Sequence, residues 1–95
     1  MARALALALA LTVVVPQVLA DRPVIGGTIA QVDHEHFRLQ VTAGDGREYW
    51  FACRPDTVFT LRGYAATFAD MLPGYRVVVT YDQVSSEAYR VDALP

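Results

Sequence analysis

The sequence predicts an all-β fold, a small barrel of five strands with one short helical turn between the third and fourth. Three observations predict it. Residues 75–82 alternate strictly, Tyr75, Val77, Val79 and Tyr81 against Arg76, Val78, Thr80 and Asp82. Period two places each set on one face of a strand. The stretch Ala69-Asp70-Met71-Leu72 runs into Pro73-Gly74, where Pro ends a helical turn and Gly supplies the turn conformation that other residues resist. Asp45-Gly46 lies between two alternating runs, a strong hairpin signal. The element order is that of an OB-like barrel. An open, SH3-like half-barrel shares this pattern and stays open as the alternative.

The chain has 95 residues, and its start reads as a leader. Met1-Ala2-Arg3 is a short positive start, Ala4 to Val15 is an apolar run, and Val18-Leu19-Ala20 is a small-residue cleavage signal. These are the three regions of a secretory signal peptide over residues 1–20, with cleavage expected after Ala20. A transmembrane anchor is the rival, but an apolar run of 12 residues falls short of the ~20 that span a bilayer. No cysteine directly follows the expected cleavage site to carry a lipid. The single domain is then residues 21–95, and the protein is expected to be periplasmic or secreted.

Residues 21–95 hold seven Arg, no Lys and ten acidic residues, a net charge of −3. Arginine without lysine, with abundant Ala and Val, points to a GC-rich bacterial genome. The acidic balance argues against nucleic acid and against anionic membrane surfaces as partners. A domain of this size buries only about 60–65% of its unfolded surface, and Cys53 is the one cysteine, so no internal disulfide staples it. Cys53 is in phase with Tyr49 and Phe51, which reads as a buried core thiol. An intermolecular disulfide and a metal or redox role are the other readings.

In chain order, Val24 to Asp33 is the first strand. Gly26-Gly27 and the odd spacing of Ile29 and Val32 point to a bulge. Asp33-His34-Glu35 is a polar turn. His36 to Thr42 is the second strand, with Phe37, Leu39 and Val41 inward and His36, Arg38, Gln40 and Thr42 outward. Arg47 to Cys53 is the third, and Arg54-Pro55-Asp56-Thr57 breaks it. Val58 to Leu61 is a short extension, followed by Arg62-Gly63. Thr67 is the N-cap of a helical turn through Leu72, with Asp70 in the capping-box position. Tyr75 to Asp82 is the fourth strand, central in the sheet because Val78 makes its second face partly apolar. Glu87 to Ala93 is the fifth, with Tyr89 and Val91 as its apolar residues.

Gly27-Thr28-Ile29 with Val32-Asp33, Phe37-Arg38-Leu39, Asp45-Gly46 leading to Tyr49 and Phe51, Asp56-Thr57, and Leu72-Pro73-Gly74 with Val77 and Val79 together carry a resemblance. Over almost all of residues 21–95, the chain resembles small exported bacterial domains of unknown function with an OB-like barrel. The resemblance implies a binding or assembly module of the envelope, with no enzyme activity and no established ligand. A second, weaker resemblance is to the periplasmic Cus-type copper chaperones, also small OB barrels. They bind Cu(I) with one His, two Met and a Trp. This chain offers His34, His36, Trp50 and Met71, and lacks a paired Met motif.

Trp50 is out of phase with Tyr49, Phe51 and Cys53, so it is expected on the barrel exterior. Exposed aromatics on strands two and three of OB barrels stack on bases or sugars, and Arg38, Gln40 and Arg47 would supply hydrogen bonds beside Trp50. A Trp50 that instead covers an open barrel end is the structural reading. With this charge and an export leader, the expected partner is a glycan or protein. His34 and His36, two apart on an extended segment, would share a face able to hold Zn or Cu. Two ligands fall short of the three or four a zinc site uses, and a solvated hairpin tip is the plainer reading. Met71 lies in the helical turn, where Met more often fills a core. No cofactor is expected. Ser85-Ser86 are turn residues, and the pairs Asp33 with Glu35 and Asp56 with Asp70 give no acid–base assignment without geometry.

Overall fold

A computed structural model describes residues 22–95; the expected leader and its cleavage site lie outside the described residues. Six strands form one sheet: β1 (Val24–Asp33), β2 (Arg38–Ala43), β3 (Glu48–Leu61), β4 (Tyr64–Ala66), β5 (Arg76–Tyr81) and β6 (Glu87–Leu94). A 3-10 turn, Phe68–Asp70, separates β4 from β5. The sheet order is β2-β1-β5-β6-β3-β4, and β2 also pairs with β3. That pairing closes β1, β2, β3, β6 and β5 into a five-stranded OB-like barrel. Closure pairs the five barrel strands on both sides and leaves the three-residue β4 as the edge among the described residues, which limits the exposed edge that invites aggregation. The fourth predicted strand is β5, and it is central, paired with β1 and β6.

The core follows the predicted phase. Ile29, Leu39, Val41, Phe51, Cys53, Val77, Val79 and Val91 are buried inside the barrel, with Phe59, Phe68 and Met71. The β1 bulge lies between Ile29 and Gln31. It shifts the inward phase by one residue, which is why Ile29 and Val32 are three apart. Asp45-Gly46 makes its hairpin. Gly46 takes φ +88° and donates its amide to the Ala43 carbonyl at 2.9 Å. Gly74 sits at φ +94° and donates to the Ile29 carbonyl at 2.8 Å, so the stop after the 3-10 turn joins β1.

Four expectations need correction. Arg54-Pro55-Asp56-Thr57 does not end the third strand, which continues to Leu61 with a register shift against β6 between Cys53 and Val58. The Thr57 hydroxyl holds this bulge: it accepts from the Arg54 amide at 2.7 Å and donates to the Ala88 carbonyl at 2.7 Å. Arg62-Gly63 is a second hairpin turn, both residues at positive φ (54° and 82°), and returns the chain as β4. Two left-handed residues match the twist of a two-residue hairpin, but Arg in that position carries no turn signal. Phe37 is in the β1–β2 turn at φ +58°, 40% exposed, and stacks on Phe68 with centroids 4.3 Å apart. On β6, Tyr81 pairs with Ala88 while Thr80 pairs with Arg90. Tyr89 is therefore the extra residue, and Ala88 takes its place in the core.

Candidate functional site

The outer face of the β2–β3 hairpin carries the candidate site. Gln40 pairs with Trp50 across the strands, and Arg38 with Ala52. Inward Leu39, Val41 and Phe51 fix the parity, so Arg38, Gln40 and Trp50 face outward together. Trp50 is 36% exposed. The Arg38 guanidinium carbon lies 4.5 Å from the centroid of its ring, well within the ~6 Å reach of a cation–π contact.

Asp33, at the end of β1, fixes this pair. Its Oδ2 accepts from Arg38 Nη2 at 2.9 Å and Nε at 3.3 Å. Its Oδ1 accepts the amides of Glu35 and His36, each at 3.1 Å, and His36 Nδ1 lies 3.0 Å from Oδ2. Arg38 and then the His36 amide hold the Asp33 carboxyl well below the usual carboxylate range. A fixed negative charge thus orients the guanidinium over the indole. The polar turn at Asp33 was readable from sequence. Its link to Arg38 was not, because it spans from the end of one strand to the start of the next.

Arg47 does not join Trp50. It shares the parity of Tyr49 and Phe51, lies beside the β2–β3 turn, and contacts Asp45 Oδ2 at 3.7 Å with most of its side chain exposed. The two histidines do not share a face either. Residues 34–37 form a turn, not an extended strand, so alternation does not apply to them. His34 meets Phe68 edge-on at 5.5 Å, whereas His36 contacts Asp33. Met71 is fully buried in the core, and Trp50 is outside the barrel wall. Burial pushes the Cys53 thiol up to about 12, which keeps it protonated and a poor metal ligand at neutral pH. Among the described residues, no three His, Cys, Asp or Glu side chains gather into a metal-sized cluster.

Two of the carboxylates considered for catalysis make local contacts. Asp70 accepts from the Thr67 amide at 2.9 Å and hydroxyl at 3.2 Å, filling its capping-box place. Asp56 contacts Arg54 Nε at 3.2 Å. Ser85 donates its hydroxyl to Glu87 at 3.2 Å within the β5–β6 turn.

This architecture and face define the chain as a small OB-like barrel. The barrel is similar to two solved structures of CusF from Escherichia coli. One is a tryptophan-to-alanine variant with Cu(II), at TM-score 0.58 and 12% identity, over 77% of this chain and 91% of that one. The other is apo-CusF, at TM-score 0.55 and 15% identity, over 78% and 90%. Likeness at this identity establishes the fold. No protein-family model matches the chain, and no curated protein matches it in sequence.

Proposed function

We propose that the protein is a non-enzymatic binding module of the bacterial envelope, taking a glycan or a protein surface on the outer β2–β3 face. The observation that carries this reading is the outward Trp50–Arg38 pair beside Gln40, braced from behind by Asp33. A flat indole offers stacking area at low conformational cost, and Arg and Gln supply directional hydrogen bonds. The leader over residues 1–20 supports a periplasmic or secreted location, and the acidic balance supports a ligand other than nucleic acid. The engagement of the Asp33 carboxylate by Arg38 and the turn amides supports a non-catalytic role.

The test is a titration of the purified protein with cell-wall oligosaccharides, followed by amide NMR and Trp50 fluorescence. Shifts centred on Arg38, Gln40 and Trp50 are expected, and Trp50→Ala weakens binding by about tenfold, within the ~1–3 kcal/mol of an aromatic stack. Silence toward glycans directs the same face to a protein partner. Full binding by Trp50→Ala overturns the reading.

Copper handling is a second reading, favoured by the fold likeness to CusF, one of whose structures carries Cu(II). The residues fit it poorly: Met71 is sealed in the core, and the donors within reach are those of the Asp33–His36 turn. Copper-dependent shifts at His34 and His36 that disappear in a double alanine variant would favour it over the glycan face.

A further inference from the structure

A second surface lies where the outer faces of β1, β5 and β6 meet. Cross-strand register places Thr28, Arg76 and Leu94 in one row and Gly26, Val78 and Asp92 in the next. Val78 is 45% exposed and Leu94 50%. Together they line an open groove of about 560 Å³ that extends across β1 to Thr42, Ala43 and Gly44 at the end of β2. Its size falls within the ~300–1,000 Å³ of small-molecule sites.

Gly26 makes the groove. Its neighbour Gly27 is required by packing, but Gly26 is not. It has no left-handed φ, and a Cβ built there meets nothing nearer than the Val77 carbonyl oxygen at 4.0 Å. A strand interior loses stability by holding a glycine without such a need. Here the missing side chain leaves Val78 uncovered and the groove open.

The charge of the groove is lopsided. Asp92 already has its carboxylate matched by Arg90 Nε, 3.0 Å from both oxygens, and by the Thr60 hydroxyl at 2.6 Å. Arg76, diagonal to Asp92 in the neighbouring row, forms no ion pair among the described residues. An apolar floor with one unmatched cation complements a molecule with an apolar tail and a single negative head. We infer that this groove binds a free fatty carboxylate, its chain over Gly26, Val78 and Leu94 and its head at Arg76.

The test is calorimetric titration of the purified protein with hexanoate, octanoate and decanoate, each below its micelle concentration, with decanol as the uncharged control. Affinity is expected to rise by up to about fourfold for each methylene the groove covers. Arg76→Gln weakens decanoate by about fivefold and leaves decanol unchanged. Gly26→Leu fills the groove and abolishes binding of both, while its urea midpoint stays at or above that of the parent. Trp50→Ala leaves all of these affinities intact, which separates this site from the β2–β3 face. No saturable binding, decanoate binding retained in Gly26→Leu, or equal loss of decanol and decanoate in Arg76→Gln would each overturn the inference. So would binding confined to phosphatidylglycerol vesicles, since the groove would then be meeting a bilayer surface.

Discussion

Gly27 is held by contact with a neighbouring strand. A Cβ there would overlap the Thr42 carbonyl oxygen and come within 2.8 Å of Val41 Cγ1. The Thr42 obstacle is backbone, in a strand paired on both sides, so it cannot swing away. Gly27→Ala is expected to destabilise the barrel by about 2–3 kcal/mol, within the range of overpacked cores, read as a lower urea midpoint. Gly26→Ala, one residue away, is expected to cost nothing. Asp33 is the second residue with a clear signature. Its carboxyl is held below the usual range by Arg38 and the His36 amide. A depressed pKa stabilises the fold at every pH above the unfolded value, near ~3.9, and that contribution is lost as pH falls through the folded value. The stability gap between parent and Asp33→Asn is therefore expected to be present at about pH 5 and above and to close progressively below about 4. Denaturant melts across that range check it; a gap that persists undiminished at pH 2 would contradict the ion-pair account.

At the scale of elements, the long strand β3 decides the shape. Its first half pairs with β2, and its second half with β4 and, in parallel, with β6. Between them lies the bulge at Arg54–Thr57, opposite the extra residue Tyr89 on β6. Both partners depart from the ladder at the same place, and Thr57 bridges the gap with one hydroxyl. Thr57→Val keeps the shape and removes both hydrogen bonds, leaving the Ala88 carbonyl and the Arg54 amide without that partner. The expected cost is about 1–3 kcal/mol. Amide exchange should quicken first around residues 53–58 and 88–90, not across the whole barrel.

For the whole molecule, one closed core carries the stability, without a disulfide. Domains of this size are typically stable by on the order of 4–11 kcal/mol. Phe51 is among the largest fully buried side chains and touches Tyr49 and Tyr81. Phe51→Ala is expected to cost about 3–5 kcal/mol, a large part of the total, and urea unfolding followed by circular dichroism measures it. Much of this organisation was legible in the sequence. Leu39, Val41, Phe51, Val77 and Val79 turned inward and Trp50 outward as their alternation requires, because side-chain direction along a strand is a local covalent property. Asp45-Gly46 and Pro73-Gly74 marked their turns for the same reason: their backbone preferences need no partner. Arg62-Gly63 made its hairpin without that chemistry, so β4 stayed hidden. Tyr89 left the core only because β6 had to bulge beside Arg54–Thr57, and a bulge reverses parity from that residue on. The Asp33–Arg38–Trp50 assembly and the Gly26 groove belong to tertiary structure. The sequence by itself determined where most of the strands lie and which way most of their residues face. Barrel closure decided which strands became neighbours, since register between segments far apart in the chain is set by packing the core, not by either segment alone.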